Sequence, residues 1–503
     1  MKYDILKPYL RQNWKGILFG LFSLIIVDFL QLLIPIVIKW AIDSVTVGNV
    51  QRRELLFYAL YIIFLGVAIA VFRFFWRYFI FGTSRKIEEG LRNKIFSHMQ
   101  ILSLHYFNRT KTGDIMAHAT NDLEAIRMAA GMGVVAFIDG IILSFAGICF
   151  MVHINKILTI ISLTPMFILF LITYRFSSLL HRRFRKVQEV FSQLTERVRE
   201  SFSGIRVIKA YVKEDMESDK LRNVGKEYID ANMKLVKIWG AFFPLVMLFS
   251  NLSMAFVIFL GGRQVILGVI SPGDFVAFNS YLAILAWPMM AIGWVTNVIQ
   301  RGRVSLDRIN KILEVKPEIY DSPHVKKDFS IKGKIEFKSL FFSYPRNNNP
   351  ILNNINLTIN HGETIGIVGR IGCGKTTLSN LLLRFLEPKT GQILIDGEEI
   401  HKIPLNVLRR NISYVPQNAF LFSTSIKENI IFGRIDACED EITRVVILTQ
   451  LFDEIRELPD GIDSIIGERG VTLSGGQKQR ITLARALLKP SPIIILDDAL
   501  SSV

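Results

Sequence analysis

Apolar positions run nearly unbroken at six places before residue 300 and at none after it. The stretches are Ile17 to Ile38, Leu55 to Phe79, Val134 to His153, Leu158 to Tyr174, Trp239 to Leu260 and Phe275 to Val298. Hydrocarbon about 30 Å thick needs roughly 20 residues of helix, so each stretch predicts a membrane span. The links between them alternate. Those after spans one, three and five are short, and those after spans two and four run to roughly 50 to 65 residues. Short links therefore share one side of the bilayer and long links the other. The long links are charged, poor in Gly and Pro and helical in period, as in HRRFRKVQEVFSQLTERVRESFSG, which predicts helices continuing out of the membrane. After Val298 the chain turns polar. From about Ile335 short β-branched runs, KIEFKSL, ETIGIVG, GQILIDG, ISYVPQ and PIIILDD, alternate with helical segments. That pattern predicts a soluble α/β domain with a mainly parallel core sheet.

Composition agrees with a membrane protein: 50% of the 503 residues are hydrophobic. The net charge of +16 changes the picture little, because the basic residues spread along long segments instead of clustering with aromatics. Nucleic acid is accordingly not expected as a partner. The long links carry about seven and fifteen Lys or Arg, and Arg85, Lys86, Arg175 and Lys237 lie near span ends. The positive-inside bias places these links, both termini and the α/β domain on the cytoplasmic side of the cell (inner) membrane, with a multi-pass chain in the lipid bilayer. The N-terminal stretch is too long for a signal peptide and lacks a small-residue cleavage site, so it reads as a retained anchor. Cys149, Cys373 and Cys438 have no paired spacing and offer neither a disulfide framework nor a zinc site. Asp28, Arg73 and Asp139 lie within spans, where charge is costly; such residues face a partner or a water-filled pathway. Both readings stay open, with the hypothesis that Asp28 helps receive cationic solutes.

The segment Gly369, Arg370, Ile371, Gly372, Cys373, Gly374, Lys375, Thr376 fits G-x-x-x-x-G-K-[ST], and Thr377 follows. An expected strand, Ile365 to Val368, precedes it and an amphipathic helix follows. Glycines let backbone N–H groups close around phosphate oxygens, the helix start adds positive potential, Lys375 bridges the outer phosphates and Thr376 offers a hydroxyl to Mg²⁺. ATP and Mg²⁺ are the expected cofactors. Farther on, PIIILDD is expected as a buried strand delivering Asp497 and Asp498 at its end.

A second motif, Leu473, Ser474, Gly475, Gly476, Gln477 ahead of a basic helix, resembles the signature of ATP-binding-cassette (ABC) proteins. The resemblance covers the whole chain and is nearest to half-transporter exporters, the multidrug exporters of the MdlA kind among them. It implies six transmembrane helices with long cytoplasmic extensions fused to an α/β P-loop nucleotide-binding domain. The expected boundaries are 1–310 for the transmembrane domain, 311–334 for a linker and 335–503 for the nucleotide domain. The resemblance further implies that Tyr344 stacks on adenine and that Gln417 contacts Mg²⁺ and the attacking water. Asp497 would hold Mg²⁺, and Glu468, Arg469 and Gly470 would touch the intracellular helices. Asn108 to Leu123 and Ser203 to Asp215 resemble coupling segments.

Hydrolytically strong relatives carry glutamate as the base where this chain has Asp498. Losing one methylene draws the carboxylate back by on the order of 1 Å, a displacement that can cost about 10²-fold. In the family, ATP sites form between two subunits, and some exporters are heterodimers in which one subunit carries Asp at the base position beside an intact LSGGQ. The expected partner is thus a second, different half-transporter, with a slow ATP site on this chain. The resemblance also expects a D-loop aspartate, a strand, a switch histidine and closing helices, so the chain reads as lacking roughly the last third of its nucleotide domain. ATP-driven export of a small amphipathic substrate is the leading reading. A nucleotide-gated channel or regulatory membrane subunit, or a homodimeric lipid flippase, are the alternatives.

Overall fold

The computed structural model describes residues 4–47, 51–322, 325, 329–344, 349–467 and 473–499. The chain divides into two units: Met1–His98 with Gly113–Glu314, and Met99–Thr112 with Val315–Val503.

The first unit is helical. Five runs are long and apolar enough to cross a membrane: α1 (Trp14–Thr46), α2 (Arg52–Ile101), α3 (Thr112–Ile154), the start of α4 (Lys156–Ser203) and α6 (Glu214–Ile266). The sixth expected stretch lies inside α7 (Pro272–Glu314), helical throughout its 43 residues. The long links are helix, as their period predicts: α4 runs 48 residues, about 72 Å at 1.5 Å per residue. It starts where the Asn155 side chain accepts a hydrogen bond from the Leu158 amide at 2.9 Å. A short helix, α5 (Ile205–Ala210), turns the chain back, and α6 packs along α4.

Three groups of contacts tie α7 and the turn before it to their neighbours. Pro35 inside α1 has no N–H, so the Gln31 carbonyl loses its helical donor. One position on, the buried Tyr281 hydroxyl donates to the Leu32 carbonyl at 2.9 Å. Beyond Ile38, Lys39 pairs with Asp274 at 2.6 Å, and Asp43 accepts from the Gly273 amide (2.8 Å) and the Ser271 hydroxyl (2.9 Å). A Cβ at Gly273 would stand 2.4 Å from the Lys39 carbonyl oxygen, so the close approach needs glycine. On α3, buried Asp122 accepts from Ser305 (2.7 Å), Arg308 (3.2 Å) and the His118 ring (2.6 Å).

The second unit holds six strands among the described residues: β1 (Ile335–Phe342), β2 (Leu352–Ile359), β3 (Thr390–Ile395), β4 (Glu398–Glu399), β5 (Ile412–Val415) and β6 (Ile493–Leu496). Four form an antiparallel sheet in the order β2-β1-β3-β4, while β5 and β6 pair in parallel. The expected mainly parallel sheet is corrected here: β-branched composition announces a strand but neither its direction nor its neighbour. Phe337, Leu340, Ile393 and Ile395 bury against Leu381 and Leu382 of α8 (Lys375–Leu382). A separate core joins Ile426, Ile430, Val446 and Leu473 to Ile481 and Ala484 of α9 (Gly475–Leu488).

Two more expectations fail in this unit. Ile365 to Val368 pairs with no strand among the described residues, and Val368 is 97% exposed. An apolar run reads as a buried strand, yet a strand exists only where another backbone meets its N–H and C=O groups. β6 is half-buried: Ile493 points inward, while Ile494 and Leu496 are about half exposed.

Candidate nucleotide site

The phosphate loop ends on Gly374, whose φ of +99° only glycine adopts freely. A Cβ there would lie 2.8 Å from Ile351 and 2.9 Å from Leu352. Gly374 is also the N-cap of α8, and no side chain caps that helix start. The first-turn N–H groups thus meet no competing side-chain acceptor, the condition for an anion site. Gly372, also at positive φ, opens the loop before it, and residues 369 to 373 are exposed. The Lys375 ammonium donates to the carbonyls of Gly369 (2.8 Å) and Arg370 (3.2 Å), so it lies over its own loop.

β6 brings acids to this loop. The Asp497 amide donates to the Val415 carbonyl at 3.0 Å, extending the β5–β6 pairing by one residue and fixing the carboxylate in place. Asp497 is buried; its Oδ1 accepts from the Thr376 hydroxyl at 3.1 Å and its Oδ2 from the Tyr414 hydroxyl at 3.4 Å. Burial first, then the Asp497 charge and this hydrogen bond, push the Tyr414 phenol up to about 12, so it stays a neutral donor. Asp498 sits in the left-handed region at φ +53°, which aspartate tolerates better than longer side chains. Its Oδ2 accepts from Gln417 Nε2 at 3.3 Å, and Gln479 of α9 donates to its carbonyl at 3.5 Å.

The remaining expected residues fall on either side. Thr377 is buried, and its hydroxyl lies 3.2 Å from that of Tyr344, whose ring stands edge-on to Phe342 at the first turn of α8. Ser474 caps α9: its Oγ accepts from the Gln477 amide at 3.2 Å, and Gln477 Oε1 accepts from the Ser474 amide at 2.8 Å. Gly475 and Gly476 form the first turn between them. Among the described residues no hydrogen bond joins Ser474–Gln477 to the phosphate loop. Glu468, Arg469 and Gly470 lie outside the described residues.

The structure thus brings Lys375, Thr376, Thr377, Tyr344, Asp497, Asp498 and Gln417 to one place. Tyr414 and Gln479 went unremarked in the sequence. Tyr414 lies within ISYVPQ, but its link to Asp497 depends on the register that sets it opposite Ile495.

Comparison with known proteins gives the family. The family model described as the ABC transporter transmembrane region matches residues 17–289, and the one described as ABC transporter matches residues 352–501. A probable multidrug resistance ABC transporter ATP-binding/permease protein of Bacillus subtilis, YheI, is 35% identical over 100% of this chain and 86% of its own length. The multidrug resistance-like ATP-binding protein MdlA of Escherichia coli is 34% identical over 98% of this chain and 84% of its own. An ATP-dependent lipid A-core flippase of Desulfotalea psychrophila is 34% identical over 83% of this chain and 73% of its own. The chain therefore belongs to the ABC transporter family, as an exporter-type half-transporter in which a helical membrane domain is fused to an ATP-binding domain and ATP hydrolysis drives transport.

Proposed function

We propose that this chain exports small amphipathic solutes across the cell membrane as one half of a heterodimer, holding a slow ATP site of its own. One observation carries the site assignment. Thr376 and Asp497, 121 positions apart, share a hydrogen bond beside an uncapped helix start. The donor set fits a nucleotide with Mg²⁺, an ion that takes one or two carboxylates and leaves the rest of its shell to phosphates and water. Bound Mg·ATP supplies the cleavable phosphoanhydride and the free energy of the cycle.

The chain's own groups divide the work. Residues Gly369 to Thr377 would hold and orient the phosphates through backbone N–H groups and the Lys375 ammonium, and Tyr344 would stack on the adenine. Thr376, Asp497 and Gln417 would hold the ion. Asp498, anchored by Gln417, orients a water, set back relative to a glutamate by on the order of 1 Å, which costs about 10²-fold in rate. Ser474, Gly475, Gly476 and Gln477 complete the site of the partner. The nucleotide domain begins near Ile335 and faces the cytoplasm. The coupling segments of this reading, Asn108 to Leu123 and Ser203 to Asp215, include the start of α3 and the whole of α5. From the first, Asp122 passes displacement to Ser305 and Arg308 near the end of α7.

The heterodimer reading is tested by turnover. The chain alone should hydrolyse ATP weakly, and a matched partner should restore it. Asp498→Glu should raise the activity of the lone chain by about tenfold or more. Robust turnover from the unaltered lone chain would reject the slow site. The flippase relative supports a second cargo reading, lipid, which labelled-lipid translocation in proteoliposomes would detect.

A further inference from the structure

An aspartate carboxyl turns about χ2 in a broad, roughly two-fold well, so hydrogen bonds decide which of its oxygens faces a ligand. Each oxygen of the buried Asp497 carboxylate has its own donor: the Thr376 hydroxyl on Oδ1 at 3.1 Å and the Tyr414 hydroxyl on Oδ2 at 3.4 Å. Thr376 belongs to the phosphate loop and is itself expected beside the ion. Tyr414 stands apart from the loop, on β5, and its bond needs neither ion nor nucleotide.

Strand register explains why this tyrosine reaches the acid. Tyr414 lies opposite Ile495 in the parallel β5–β6 pair. Side chains alternate along a strand, so Ile495 and Asp497 share a face. Tyr414 and Ile495 both pack on the apolar core that includes Leu381 and Leu382, and the Tyr414 hydroxyl extends from there to the carboxylate two residues farther along. The same short segment takes the Asp497 amide on the Val415 carbonyl at 3.0 Å and donates from Gln417 to Asp498 at 3.3 Å. Residues 414 to 417 therefore grip both acids, and only the first and last of them do so through side chains.

We propose that Tyr414 is a positioning residue for the divalent cation: by occupying Asp497 Oδ2 it fixes the carboxylate with Oδ1, the oxygen beside Thr376, offered to the ion. Groups that hydrogen-bond a metal ligand from behind set its orientation and with it the affinity of the site. The hydroxyl alone carries this role, and the ring serves packing. The inference rests on the Mg·ATP reading of the site.

Mn²⁺ takes the same oxygen ligands as Mg²⁺ and reports its binding by electron paramagnetic resonance. The full chain in lipid nanodiscs, in excess over a non-hydrolysable ATP analogue, is titrated with Mn²⁺. Affinity for the analogue in EDTA and the thermal midpoint are measured in parallel. Tyr414→Phe keeps the packed ring and should weaken Mn²⁺ by about fivefold, the worth of one hydrogen bond, with analogue affinity in EDTA unchanged. Tyr414→Leu removes the ring as well; it should lower the thermal midpoint further and weaken Mn²⁺ no more than Tyr414→Phe does. Asp497→Asn should weaken Mn²⁺ most. An Mn²⁺ affinity unchanged in Tyr414→Phe, or one that falls in step with the thermal midpoint across the two Tyr414 variants, would overturn the proposal and leave the Mg·ATP reading standing. No analogue-dependent Mn²⁺ binding by the unaltered chain would strike that reading itself, and this inference with it.

Discussion

Two helices of the second unit begin on glycine-rich sequence and treat their first-turn N–H groups in opposite ways. α8 starts from Gly374, which has no side chain and receives no cap from elsewhere. α9 starts from Ser474, whose hydroxyl and the Gln477 amide oxygen answer one another's backbone in a capping box. The first start is left for an outside acceptor; the second is complete by itself and must give up a bond to engage anything new. Two motifs equally rich in glycine therefore do different work, and the difference lies in one residue, glycine or serine, at the N-cap.

The contrast can be broken or sharpened at five residues. Lys375→Ala removes the ammonium over the loop and should lower this chain's ATP affinity by about 10²-fold, from charge-assisted bonds worth about 1.5–3 kcal/mol each. Ser474→Ala should leave the same affinity within about twofold; similar losses in titration of the two variants would erase the distinction. Gly374→Ala forces a side chain into the left-handed region and against Ile351, so ATP binding should fall by about tenfold or more. Gly475→Ala meets nothing within 4 Å and should leave the thermal midpoint unchanged or higher. Ser474→Ala should cost about 1 kcal/mol of helix stability, seen as a lowered urea midpoint, because its capping box is lost. Tyr414→Phe should have the smallest effect, about 1 kcal/mol, from the bond to Asp497. Its phenol titrates above the unfolded value of about 10. That contribution is therefore full below pH 10 and lost as pH rises through about 12. Urea titrations of both forms across that range check the sign.

Much of this was legible in the sequence, for reasons that differ by region. The spans and their extensions were readable because twenty apolar residues, or a helical period in charged sequence, have few other solutions. The phosphate loop was readable because Gly372 and Gly374 mark backbone conformations that other residues avoid, and both have positive φ. Pairing was not. Ile365 to Val368 looked like an inner strand because a short apolar run says nothing about which backbone runs beside it. The bond from Tyr414 to Asp497 depends on the β5–β6 register, and that from Tyr281 to Leu32 on which faces of α1 and α7 meet. Both arise from tertiary packing that no local pattern encodes. Asp28 is the middle case: its cost in hydrocarbon flagged it, and the fold buries it completely.

The 48-residue α4 and its companion α6 have a mechanical consequence. A straight rod of about 72 Å that tilts by about 5° moves its far tip by about 6 Å, more than one helical pitch. Packing along their length stiffens the pair, and Pro165 of α4 and Pro244 of α6, each lacking a helical N–H, mark where it would bend. A gear of this reach turns a small rotation at one end into a stroke large enough to change what is open at the other.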